Sequence, residues 1–373
     1  MNAILQLSTG VFGHPLAMDI SSVRARLEHM LDILPVRGLI YGWGEKPGLF
    51  SMLGDLARAR GVETYLWLPV FADVQHPQKA DPMLLWEPAH ASGMHPIAGE
   101  EFEFVCPGSR RNRESVLKSF DALTREFLPD GVFLDRIRYP SASGGDPHRF
   151  GCLCAACRKR IWAQGADIRR MEARVRASEP GTWSVPDSLS EGVFHFPDPD
   201  METLSRIRRE TITEAIHMLA GAFHARGLRV GVDTFAPALA DLVGQDLHAI
   251  LPEVDFVKPM MYFRTWAPAG IPYEADGYGP AVSGALQRLW GENITRKSSM
   301  KVQLQSLSAW KDIVWPGLEI NRVPGFCEIS AGDVDSSVRL AAGSGCETVV
   351  LSWNTLQATD EDLQTAADVM KTL

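Results

Sequence analysis

The stretch DGVFLDRIRYP, residues 130–140, places an aspartate, Asp135, directly after the apolar run Val132–Phe133–Leu134, and two arginines, Arg136 and Arg138, directly after the aspartate. Other short apolar runs end on polar or aromatic residues in the same way. Asp233 follows VGV, Glu319 ends GLE, and Trp67 ends YLW. LIYGWGE carries Tyr41, Trp43 and Glu45; VKPMMY carries Lys258 and Tyr262; LSWNTL carries Trp353 and Asn354. Two carboxylates flanking a glycosidic bond can act as acid and as base or nucleophile. Indole and phenol faces stack on apolar faces of sugar rings and shed water. Asp135 with Asp233 or Glu319 is therefore the candidate catalytic pair, with Asp233 preferred as acid/base. Arg138, Lys258 and Tyr262 are candidates to bind hydroxyls, and two cations leave an anionic (uronic or sulfated) sugar open. The plainer reading is structural. A strand-end aspartate caps a helix or pairs with an arginine, here Arg136 or Arg138, and most tryptophans are core. Charge at a barrel-strand end weighs toward function for Asp135.

A second cluster reads DPHRFGCLCAACRKR, with His148, Cys152, Cys154 and Cys157 in the spacing H-x3-C-x-C-x2-C. Four such ligands can close a structural tetrahedral zinc site. Free cysteines more often pack as small apolar groups, and that is the expectation preferred here. The proposed chemistry requires no cofactor.

These residues need elements that aim them at one place. Eight short apolar runs recur along the chain, near residues 3, 38, 63, 131, 229, 256, 317 and 347, and most follow a helical pattern. Strands alternating with helices predict a parallel sheet, and eight units predict a closed (β/α)8 barrel, an α/β fold, rather than an open sheet. Residues 301–308 alternate like a strand, but Met300, Leu304, Leu307 and Trp310 share a helical face, which predicts a helix there and the seventh strand in VWPGLEINRV. Two long connections, about 72–110 and 140–200, follow the third and fourth strands and are read as loop elaborations of one domain spanning 1–373. In such barrels the loops after the strands build the active site.

Composition narrows the partners. The 373 residues carry 37 Lys and Arg against 46 Asp and Glu, a net charge of −9, which disfavours nucleic acid. No run approaches the ~20 apolar residues of a membrane span, and MNAILQLSTGVFG lacks the basic head of a secretory signal, so a cytoplasmic protein is expected.

DGVFLDRIRYP resembles the fourth-strand signature DGIHLDYIRYP of glycoside-hydrolase-like (β/α)8 barrels. VCPGSRRNRESVLKSF is similar to the segment those proteins place before that strand. GVDTFAP and DLVGQDLHAILPEVDFVKPMMY, with Gln245, are similar to their fifth and sixth strands, and VRLAAGSGCETVVLSWNTL to their last helix and strand. The likeness runs from about Cys106 to the C-terminus. It implies that Asp135 is a carboxylate of the barrel mouth and Asp233 its fifth-strand counterpart. Chitinase-like barrels carry a glutamate shortly after the corresponding aspartate, where this chain has Ile137 and Arg138. The expectation is a glycosidase acting on an oligo- or polysaccharide. The alternatives are a barrel that binds carbohydrate without cleaving it and a metal-dependent barrel hydrolase. The latter is disfavoured because no H-x-H pair ends the first strand.

Overall fold

Eight parallel strands close into a barrel: β1 (Asn2–Ser8), β2 (Val36–Gly42), β3 (Glu63–Pro69), β4 (Gly131–Asp135), β5 (Arg229–Phe235), β6 (Phe256–Met260), β7 (Gly317–Glu319) and β8 (Thr348–Ser352). Each lies beside its sequence neighbours, and β8 closes on β1 from Asn2↔Thr348 to Leu5↔Leu351. The structure is a computed structural model that describes residues 1–11, 14–15, 17–44, 48–75, 77–84, 92–94, 101–141, 151–177 and 184–373.

Two apolar layers follow from the period-two alternation of each strand. Ile4, Ile40, Tyr65, Phe133, Phe256, Trp315 and Val350 point inward and form one cluster. Leu5, Leu39, Tyr41, Leu66, Val132 and Leu134 point outward and join the larger cluster beneath the helices. The inward rings plug the barrel. Phe256 stacks on Trp315 with centroids 3.9 Å apart and meets Tyr65 edge-on at 5.0 Å. Among the described residues, the space above this plug opens toward the strand C-termini. Two glycines make room for the rings and stems that fill the interior. A Cβ on Gly231 would lie 2.0 Å from the Phe256 ring, and one on Gly317 would lie 2.4 Å from Lys258 Cε.

Polar residues stop and start the outer helices. Asp19 caps Ile20–Ile33 through Ser22 N at 2.8 Å, Ser330 and Asp333 form a capping box at Ala331–Gly343, and Thr359 caps Asp360–Thr372. Residues Met300–Gln305 are helical, and the seventh strand lies at Gly317–Glu319, as the helical face in the sequence predicts. The connections after β3 and β4 carry short elements of their own, including helices Ala155–Ala163 and Ile168–Ala177. No helix among the described residues is long and apolar enough to cross a membrane.

Candidate active site

A cavity of about 520 Å³ opens at the C-terminal ends of the strands. Asp135, the last residue of β4, and Asp233, on β5, both line it. Strand β4 ends on charge because its alternation turns Phe133 and Asp135 inward, and at this height inward means into the cavity rather than into the aromatic plug. Asp135 is held from two sides. Trp67 Nε1 donates to Oδ2 at 2.9 Å and the backbone N–H of Arg136 donates to Oδ1 at 2.5 Å. Directly after Asp135, Arg136 adopts φ of 53°, the left-handed region a non-glycine residue seldom enters, so the chain turns sharply as it leaves the strand.

The arginines do not pair with Asp135 through their side chains as the plainer reading expected. Arg136 forms its ion pair with Asp73 and lies over the Trp43 ring, 4.2 Å from its centroid. Arg138 donates to the Tyr139 carbonyl at 3.0 Å and packs between Phe235 and Phe104, 4.7 and 5.3 Å from their centroids.

Asp233 is 3% exposed, so water solvates it little. Lys258 Nζ donates to its Oδ2 at 3.0 Å, while Oδ1 is buried with no hydrogen-bond partner among the described residues. Gln245 fixes the backbone here, accepting from Phe235 N at 2.9 Å and donating to the Asp233 carbonyl at 3.0 Å. Burial pushes the Asp233 carboxyl up to about 7, with the negative charge of Asp135 adding to the rise and Lys258 opposing it. Burial also raises Asp135, against the pull of Lys258, Trp67, the Arg136 N–H and Arg138. Burial alone would lower Lys258, but Asp233, Tyr262 and Asp135 outweigh it and keep the ammonium charged. Two neighbouring carboxyls both raised by burial, one of them toward neutrality, are a pattern that acid/base chemistry can use.

Aromatic residues wall the cavity. Trp43 and Trp67 lie 4.9 Å apart on one side, and Trp353 meets Phe326 at 5.2 Å and Tyr262 at 6.3 Å on the other. Trp43, Trp67, Arg138, Lys258, Tyr262 and Trp353 thus gather around Asp135 and Asp233. Three expected residues do not. Tyr41 follows inward-facing Ile40 and so points outward, where its ring packs 5.2 Å from Phe50 and 6.0 Å from Phe127. Asn354 is buried as a strap, accepting from Ser8 N at 3.2 Å and, at its carbonyl, from Asn321 Nδ2 at 2.8 Å.

Glu319 holds a loop. Its carboxylate accepts from the backbone N–H groups of Phe263, Arg264 and Thr265 at 3.0, 2.8 and 2.7 Å, and from Thr265 Oγ1 at 2.7 Å. Burial raises its pKa against those donors. With both oxygens engaged, neither is aimed at the cavity. Glu319→Ala should leave these donors without their acceptor and cost about 2–4 kcal/mol. Urea unfolding should show that loss, and azide should restore no activity to the variant.

Glu45 and His148 lie outside the described residues. Among the described residues, Cys152, Cys154 and Cys157 converge with Cys106, a cysteine the spacing argument left out because it is distant in the chain. The sequence reading also missed Gln6, Arg136 and Phe326 as lining residues. Gln6 carried a signal, a polar residue between Leu5 and Leu7 on the face that Ile4 shares. Phe326 carried none.

The closed parallel barrel with its helices is a (β/α)8 fold, and solved structures share it. The chain is similar to the glycoside hydrolase domain of PgaB (BpsB) from Bordetella bronchiseptica, at 14% identity and a TM-score of 0.63 over 99% of this chain and 98% of that one. It is also similar to alpha-L-fucosidase isoenzyme 2 from Paenibacillus thiaminolyticus (11%, 0.53, over 99% of this chain and 49% of that one) and to the spore cortex-lytic enzyme SleL of Bacillus megaterium (9%, 0.51, over 98% and 74%). At these identities the likeness is one of fold. No family model and no curated protein matches the chain by sequence.

Proposed function

We propose that the protein is a glycoside hydrolase in which Asp233 is the acid/base and Asp135 the nucleophile. The observation that carries the reading is the placing of two buried carboxylates on adjacent strands in one aromatic cavity. Leu134 pairs with Val232, so Asp135 and Asp233 follow at the same height. Neighbouring strands run about 4.8 Å apart. Side chains that leave neighbouring strands at one height toward one cavity are compatible with the ~5–5.5 Å carboxyl separation of a retaining pair.

In the first step Asp233, protonated, would donate to the glycosidic oxygen as Asp135 attacks the anomeric carbon. In the second, Asp233 as carboxylate would take a proton from water, and the attacking water oxygen would displace Asp135. Trp43, Trp67, Phe326 and Trp353 would stack on the sugar and exclude bulk water.

Charge balance favours an uncharged glycan over the anionic sugar expected from sequence. Arg136 pairs with Asp73 and Lys258 with Asp233, while the charge of Arg138 is met by Glu274 first and Asp135 second. The buried Lys258–Asp233 pair supports a second reading, a carbohydrate-binding barrel in which that pair is structural.

The test is incubation with a panel of neutral and uronic oligosaccharides, with products followed by proton NMR. Cleavage of a neutral glycan whose first-formed product keeps the anomeric configuration is the expected result. An inverted product would remove Asp135 as nucleophile. Binding by calorimetry without any cleavage would select the second reading.

A further inference from the structure

Four of the six cysteines have no role in glycoside hydrolysis, yet they meet in one place. The Sγ atoms of Cys106, Cys152, Cys154 and Cys157 all lie within 4.8 Å of one another. Cys106 Sγ is 3.6 Å from that of Cys154 and 3.5 Å from that of Cys157, and all four are free thiols. Zinc with four thiolates at about 2.3 Å holds its sulfurs roughly 3.8 Å apart in a tetrahedron. The separations of 3.5 and 3.6 Å and the 4.8 Å within which all four lie bracket that spacing, although Cys106 is far from the others in sequence. Packing of thiols as small apolar groups would not require four sulfurs from two loops to face a common centre.

The surroundings suit the charge. Four thiolates and one Zn²⁺ leave a net charge of −2, and backbone N–H groups here offset part of it. Cys154 is the N-cap of helix Ala155–Ala163 and Cys157 lies in its first turn, where free N–H groups and the helix dipole favour thiolate. That turn has no acidic residue. Arg113 Nε donates to the Pro107 carbonyl at 2.8 Å and Arg158 Nε to the Leu153 carbonyl at 3.0 Å, so a guanidinium, itself paired with Glu214 or Glu172, braces each cysteine loop. On the other loop Ser109 N closes a turn onto the Cys106 carbonyl at 3.1 Å, and Asn112 Nδ2 donates to the same oxygen at 2.9 Å. Gly108 in that turn leaves only ordinary contact room over the sulfurs, since a Cβ would stand 3.4 Å from Cys157 Sγ and 3.6 Å from Cys106 Sγ.

We propose that Cys106, Cys152, Cys154 and Cys157 bind one structural zinc ion, releasing four thiol protons as it enters. The ion ties the connection after β3 to the connection after β4. These already touch where Leu153 N donates to the Leu84 carbonyl at 2.6 Å. Phe104, two residues before Cys106, packs on Arg138 of the active-site cavity, so the ion also steadies the rim of that cavity. With four protein ligands there is no open position for water, and the ion takes no part in hydrolysis.

The test is metal analysis of the full chain, produced in zinc-supplemented medium and purified without chelator. About one zinc per chain is expected. Cobalt replacement should give the thiolate charge-transfer and tetrahedral ligand-field bands of a four-sulfur site. Cys106→Ser should cut zinc content at least ~10-fold, while His148→Ala and Cys346→Ser should retain it. Wild-type protein without zinc whose four thiols alkylate natively, or whose mass shows disulfides, overturns the proposal. So does iron in place of zinc, or zinc that survives Cys106→Ser or is lost in His148→Ala. The wild-type metal content and the cobalt spectrum stand whether or not a variant folds, and neither depends on glycosidase activity.

Discussion

Asp135→Asn is expected to lower kcat/KM by about 1000-fold or more, while the thermal midpoint moves by no more than a few degrees. The rate falls because a neutral amide can neither attack the anomeric carbon nor offset the positive charge that develops on it. Stability changes little because two effects oppose each other. The amide presents a donor to either Trp67 Nε1 or Arg136 N, where the carboxylate accepted from both, and that mismatch costs about 1–3 kcal/mol. Against this, the variant no longer buries a charge that is only 8% exposed. Rate is read on the glycan that the wild-type protein cleaves, and stability by calorimetry at the same pH. Collapse of the midpoint together with activity would make Asp135 a structural anchor of the turn at Arg136. Unchanged turnover would remove it from the chemistry.

The barrel was legible because each strand is a short apolar run, several closed by a polar residue as at Ser8, Asp135, Glu319 and Ser352, and that pattern survives without neighbours. Residues 301–305 could be resolved as helix because burial of Met300 and Leu304 follows the helical period and overrides a local alternation. The mouth was partly legible for the same reason. Once a strand is placed, parity picks its inward residues, as with Asp135, Asp233 and Lys258. Tyr41 was misplaced by one step of that parity, which the GWG sequence after it hides. Glu319 has inward parity but lies beside the loop following β6, and three backbone N–H groups from that loop capture it. No strand pattern encodes such a contact. Cys106 shows the same limit, since its partnership with Cys152, Cys154 and Cys157 exists only when two loops are folded over the barrel.

Asp233 is expected to set the alkaline limb of the pH–rate profile. Its carboxyl is pushed up to about 7, so the protonated form that donates to the leaving group is depleted above that pH, and kcat/KM should fall about tenfold per pH unit there. Asp233→Asn keeps an oxygen for Lys258 Nζ and removes the titrating proton. It should lose about 100–10,000-fold on unactivated glycans, and the limb near 7 should disappear with it. Asp233→Ala opens space for a small nucleophile. On aryl glycosides, whose leaving groups need little protonation, it should still form the glycosyl-enzyme, and azide should accelerate turnover by intercepting that intermediate. The alanine variant also leaves the buried Lys258 without its partner, which costs about 3–5 kcal/mol, so its kinetics belong well below its midpoint. If Asp233→Asn keeps both its rate and its alkaline limb, the Lys258–Asp233 pair is structural and the proton donor is another group of the cavity. If azide rescues Glu319→Ala instead, the acid sits on β7, and the loop at Phe263–Thr265 must open to release it.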